Sequence, residues 1–292
     1  MQQRQPYSQS VTSTHRTAFV LMLDQSASMN EFVTFDSHRV TKATAVAEIA
    51  NRMLFELIER ARRETSIRNY YDVAVLSYSG DRVRSLLSEQ EQDYKFIPIC
   101  DLAKRQVEQK IWCSDHQLEN GEVITLRSVT GEYVKPQAAG STPMFEAMLI
   151  ARDMVRKWCS AESNRESFPP VIINITDGEF SDCNHDELRD ITHQIMSIAT
   201  NDGEVLLLNL HIATICDEPL IFPSEDEIST SPRLARTLAE CSSTMPEAFN
   251  PMIREYRGGV NLPPYKGMSY NAPITEVLNM MNIGSISINR IY

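Results

Sequence analysis

The chain opens its ordered pattern with six consecutive apolar residues, 18–23 (Ala-Phe-Val-Leu-Met-Leu). A strand with no polar face belongs inside a sheet covered on both sides. Residues 71–78, 171–176 and 205–214 read as three further strands of the same kind. Between them the period changes to that of a helix. In 40–61, Val40, Ala43, Val46, Ile49, Ala50, Met53, Leu54, Leu57, Ile58 and Ala61 recur at helical spacing, with polar residues opposite. Thr142 suits an N-cap and Pro143 a first helical position, opening a helix through Trp158. Its stripe is Met144, Met148, Ala151, Val155 and Trp158, with Met as core filler. Residues 186–198, 232–241 and 272–281 complete the helices. This rhythm predicts an α/β fold: a doubly wound, mainly parallel central sheet with helices on both faces.

Two regions break the rhythm. Residues 80–137 are mixed, with a helix-like piece near 102–110 and hairpin-like signals at Asn120-Gly121 and Thr130-Gly131. They read as an insertion at one end of the sheet. Residues 242–271 contain Pro246, Pro251, Pro263 and Pro264 and read as loop with one edge strand. The polar residues 1–15 read as a disordered or extended arm, and 16–292 as one domain.

Composition narrows the function. A net charge of −11 repels phosphate backbones, so nucleic acid is a poor partner. Arg60, Arg62, Arg63 and Arg68 are diluted by Glu59 and Glu64 and read as a solvated helix end. No run approaches the ~18 apolar residues of a membrane span. The start of the chain lacks the apolar block of a secretory signal, so a cytoplasmic location is expected. Six cysteines, none closer than thirteen positions and none in a CxxC pair, are expected to be reduced.

The candidate chemistry sits at strand ends. Asp24-Gln25-Ser26-Ala27-Ser28 follows the first strand, and Thr176-Asp177-Gly178-Glu179 closes the third. Gly140-Ser141-Thr142-Pro143 precedes a helix. In open α/β sheets ligands collect at the carboxyl ends of the strands. Asp24, Ser26, Ser28, Thr142 and Asp177 would therefore share one edge. All offer oxygen, which suits Mg²⁺, Mn²⁺ or Ca²⁺ and not zinc. Each segment alone is also a plain turn or helix start.

In this order the three segments resemble the metal-ion-dependent adhesion site of von Willebrand factor A (vWA) domains. The resemblance spans roughly residues 16–281. It implies that Ser26 and Ser28 bind metal directly and that Thr142 does so directly or through water. Asp24 and Asp177 would mostly hold metal-bound waters. An open coordination position would take an Asp or Glu from a partner protein, a binding role and not an enzymatic one. Ala27 departs from the family, where many members have Gly, and fits unless that position needs positive φ. The chain looks like bacterial intracellular stand-alone vWA proteins of the tellurite-resistance-associated type. That implies stress-response, signalling or defence assemblies beside a kinase, a phosphatase or an AAA+ ATPase.

Two other readings stay open. One is a metal-dependent phosphohydrolase with Asp24 as nucleophile. Ser26 then stands where haloacid dehalogenases place their second Asp, so the general acid is missing. The other is a metal-free vWA scaffold. Asp182, Cys183, His185 and Asp186 read as the turn and N-cap of the next helix, and His193 and His211 as isolated.

Overall fold

In the computed structural model, which describes residues 5–35, 38–117, 123–178, 180–212, 219–259 and 262–271, the first apolar run becomes strand β1 (Thr17–Asp24), buried at every position. A hairpin, β2 (Phe32–Phe35) and β3 (His38–Thr41), leads into helix α1 (Lys42–Ala61). Next come β4 (Tyr71–Ser79) and the antiparallel β5 (Arg82–Ser85). The insertion contributes a second hairpin, β6 (Gln109–Gln117) and β7 (Val123–Gly131). Helix α2 (Met144–Ser160), β8 (Val171–Thr176), α3 (His185–Met196) and β9 (Leu206–His211) follow. The last described elements include β10 (Leu220–Ile221), α4 (Arg233–Glu240), α5 (Asn250–Tyr256) and β11 (Met268–Tyr270).

The main sheet runs β10-β11-β9-β8-β1-β4-β5. β4, β1, β8, β9 and β11 are mutually parallel, with β5 and β10 antiparallel at the edges. Alternate residues of β1 enter two cores. Phe19, Leu21 and Leu23 pack with Val46, Met53 and Leu57 of α1. Ala18, Val20 and Met22 pack with Met148 and Val155 of α2 and Leu188 and Ile191 of α3. Burial on both sides is why this strand needs no polar face. From β1 the chain passes through α1 to β4 on one side, then returns through α2 to β8 on the other. The strand order reverses between β1 and β8, the kind of position at which open α/β sheets collect ligands.

Several expected boundaries move. Val40 fits the helical phase but lies in β3. Helix α1 starts at Lys42, because the hydroxyl of Thr41 accepts the Thr44 N–H at 3.1 Å and caps it. The helix-like piece at 102–110 is not helical throughout: a short helix, Ile99–Leu102, ends there and β6 begins at Gln109. Cross-strand pairing from Gln117 opposite Val123 to Gln109 opposite Gly131 overrides the weak local pattern. Thr130-Gly131 therefore ends a strand and makes no turn; Asn120-Gly121 lies outside the described residues. Residues 242–271, read as loop, carry α5 with Pro251 in its first turn, where no N–H is needed. The strand there, β11, lies inside the edge strand β10. The helix expected at 272–281 is outside the described residues. The described part of the N-terminal arm, from residue 5, has a turn at Pro6–Tyr7 and is pinned to the domain. The Ser8 and Gln9 amides donate to Asp202 Oδ1 at 3.1 and 3.0 Å, and Val11 is fully buried.

Candidate metal centre

Asp24 ends β1 with no exposed surface. Its Oδ1 accepts the Ser26 N–H at 2.9 Å, and its Oδ2 accepts the Thr176 hydroxyl of β8 at 2.9 Å. The chain then turns through a 3-10 turn, Ala27–Asn30, which sets Ser26 Oγ and Ser28 Oγ 3.0 Å apart. Ala27 is not among the residues with positive φ, so its methyl is tolerated and the departure from Gly is harmless.

Thr142 arrives on a loop laced by main-chain bonds to two others. The Ala27 N–H donates to Gly140 O at 2.9 Å and the Ala139 N–H to Gln25 O at 2.8 Å. The Gly80 N–H donates to Ser141 O at 2.9 Å, and the Ser141 hydroxyl returns to the Gly80 carbonyl. Gly140 has φ +74°, and a Cβ there would lie 2.5 Å from Gly80 Cα. Only glycine lets the backbones approach this closely. Thr142 is not the N-cap, nor Pro143 the first helical residue, of α2. That helix begins at Met144 and makes no cap bond of its own. The Asp182 carboxylate caps it from another loop, accepting the N–H groups of Phe145 and Glu146 at 3.1 and 3.0 Å. Thr142 is buried and is held by its backbone: its N–H donates to Ser181 Oγ at 2.9 Å. Helix α3 is capped by Asn184, not Asp182, in a capping box with Glu187.

Asp177 follows β8 and is 9% exposed. Its Oδ2 lies 3.4 Å from Lys42 Nζ. Among the described residues its Oδ1 is buried with no hydrogen-bond partner, an arrangement that is unfavourable for a buried polar oxygen. Lys42 is buried at the start of α1, and its Nζ also reaches Glu31 Oε2 at 2.8 Å. The sequence reading missed Lys42 and Thr176. At the head of an amphipathic helix a lysine looks like a solvated residue, and a strand-end threonine looks like ordinary β structure.

Burial pushes the Asp24 carboxyl up to about 6, and the nearby Asp177 charge adds to it, against the hydrogen bonds from Ser26 and Thr176. Two dehydrated carboxylates close together favour a bound cation. Two serine hydroxyls lie beside them, and among the described residues no group of three or more His, Cys, Asp or Glu gathers. This donor set fits a hard divalent ion and not zinc. His211, at the end of β9, forms the neighbouring wall. Its ring stacks on Tyr270 at 4.4 Å, and burial lowers its pKa to about 4. His185 does not join the site; its Nε2 lies 3.0 Å from Thr237 Oγ1. Cys100, Cys159, Cys183 and Cys241 are free thiols.

No family model matches the chain, and no curated protein does. Among solved structures, it is similar to a von Willebrand factor type A protein from Catenulispora acidiphila, at 11% identity and a TM-score of 0.45, covering 94% of this chain and 43% of that one. Proximal thread matrix protein 1 from the mussel byssus is similar at 12% identity and a TM-score of 0.45, with 95% and 47% covered. The vWF domain of a type V pili tip protein from Porphyromonas gingivalis aligns at 13% identity and a TM-score of 0.33, with 57% and 39% covered. The chain thus spans less than half the length of these proteins. The α/β assignment rests on the parallel sheet itself.

Proposed function

We propose that this protein is a vWA-type binding module that captures a partner protein through a divalent cation, with Mg²⁺ as the leading candidate. The observation that carries the reading is the buried Asp177 Oδ1, which has no partner among the described residues, at the strand-order reversal that also holds the paired Ser26 and Ser28 hydroxyls. Ser26, Ser28 and Thr142 would hold the ion, and Asp24 and Asp177 would balance its charge and orient its waters. The bound ion supplies a Lewis-acidic position for an incoming carboxylate oxygen of an Asp or Glu on the partner. The chain's own part is to keep the donors fixed. Asp24 and Thr176 lock β1 to β8, the Ala27–Gly140 and Ala139–Gln25 main-chain bonds lock the Thr142 loop to the serine loop, and the Gly80–Gly140 approach locks it to the β4–β5 turn. Fixed donors lower the ordering penalty of binding.

The enclosure of Asp24 counts against a phosphohydrolase. Both its oxygens are engaged and none of its surface is exposed, so an attack on phosphorus has no approach. A place in a bacterial stress, signalling or defence assembly, with a kinase, phosphatase or AAA+ ATPase nearby, remains part of the proposal, as does a cytoplasmic location. Among the described residues no helix is long and apolar enough to cross a membrane.

The test is a thermal-shift titration of chelator-stripped protein with Mg²⁺, Mn²⁺ and Ca²⁺, alongside Asp177→Ala. A ligand that prefers the folded state raises its melting temperature by mass action. The expected result is a saturable rise in the wild type and none in the variant. Absence of any shift in the wild type refutes metal binding by the isolated chain.

A further inference from the structure

Among the described residues, Lys42 sets its ammonium against a proposed donor, Asp177, and nothing in the oxygen-donor chemistry calls for it. Its side chain is 6% exposed, as is that of Asp177, with 3.4 Å between Nζ and Oδ2. The same nitrogen lies 2.8 Å from Glu31 Oε2, whose side chain is 56% exposed. The position of Lys42 is fixed from both sides. Its N–H donates to Glu31 O at 2.8 Å, and the Glu31 N–H donates to Ser28 O at 3.0 Å. Phe32 pairs with Thr41 at the base of the β2–β3 hairpin, so the hairpin closes on this clasp. The ammonium is thereby shared between a buried carboxylate of the metal site and a carboxylate at its rim.

Resting on the vWA reading above, we infer that Lys42 is a built-in counter-ion that competes with the divalent ion for Asp177 and so sets the affinity of the site. Without metal, Lys42 balances one carboxylate that burial would otherwise leave uncompensated. When a divalent ion enters, two positive centres share one dehydrated pocket, and their repulsion weakens metal binding. Glu31 provides the second place for the ammonium. Lys42 therefore lowers metal affinity and Glu31 restores part of it. Neighbouring substitutions then have opposite signs, which simple damage to the fold does not produce.

The experiment is calorimetric titration of the full chain with Mn²⁺, and with Mg²⁺, in the wild type, Lys42→Met, Lys42→Arg, Glu31→Gln and Asp177→Ala, with metal-free melting temperatures measured in parallel. Lys42→Met is expected to tighten metal binding by about tenfold or more while lowering the metal-free melting temperature. Glu31→Gln is expected to weaken metal binding, and Lys42→Arg to stay near the wild type. If Lys42→Met fails to fold without metal, folding regained on adding Mn²⁺, with Lys42→Arg folded throughout, counts equally in favour. Metal binding in the wild type with unchanged or weaker binding in Lys42→Met overturns the counter-ion role and leaves the metal site standing. Absence of binding in every variant, Lys42→Met included, overturns both.

Discussion

The two carboxylates of the candidate site lie at the ends of adjacent parallel strands, yet their surroundings are opposite. Asp24 has both oxygens engaged and sits in full burial, with its pKa raised to about 6. Asp177 has one oxygen against an ammonium and the other, among the described residues, without a partner. Asp24 is a joint of the framework that carries a charge it is poorly placed to carry. On the proposed reading, the free oxygen of Asp177 is the one a divalent ion would satisfy, and the metal-free fold would carry part of that function as instability.

The largest expected effect tests the first half of that contrast. Asp24 has a folded pKa above its unfolded value of 3.8. The folded state therefore holds more protons between about pH 4 and 6, and stability falls as pH rises through that window. No deficit exists below it, and the full deficit of about 3 kcal/mol is present above pH 6. Asp24→Asn keeps an acceptor for Ser26 and offers a donor to Thr176, so the metal-free variant should exceed the wild type at pH 7 and match it near pH 4. Urea denaturation across that range, in chelator, measures the difference. His211 acts the other way: burial holds its folded pKa at about 4, below the usual 6.5. Its penalty is absent above about pH 6.5 and grows as pH falls. Both proteins carry it, so it cancels in the comparison. Equal stability at pH 7 would remove Asp24 from its role.

A second perturbation asks whether the third loop matters to either carboxylate. Gly140→Ala forces a side chain onto Gly80 Cα at positive φ and is expected to destabilise by about 2 kcal/mol. It should also abolish the metal-induced rise in melting temperature, although no donor is changed. A retained rise would mean that Thr142 is dispensable.

The smallest effect falls on Asp177. Asp177→Asn removes one of two carboxylates facing Lys42 and leaves Glu31, so it should cost about 1 kcal/mol without metal. A loss of about 3 kcal/mol in the same denaturation would make Asp177 as structural as Asp24 and dissolve the contrast.

The legibility of these features follows from the range of the interactions behind them. The strand at 18–23 was readable because two-sided burial excludes polar residues locally. The placement of Asp24 and Asp177 at one edge followed from their being the residues at strand ends. Lys42 was not readable, because its meaning depends on a partner 135 positions away. The capping of α2 by Asp182 is hidden for the same reason, and the sequence instead offers Thr142 as a plausible local cap. Val40 misled because a strand residue can fall in helical phase by chance. Pro251 misled because proline breaks a helix interior and is accommodated in a first turn.

The hydrogen bond from Thr176 to Asp24 joins residues 152 positions apart, and this has a kinetic meaning. Contacts of such sequence separation form only after the intervening loop has been closed at an entropic cost. The serine loop, the Thr142 loop and Asp177 each belong to a different crossover of the sheet. A nascent or severed chain that lacks any one of them has donors but no site. Possession of the assembled site is therefore a report that β1 and β8 have met, and the proposed partner would find only molecules in which that pairing is made.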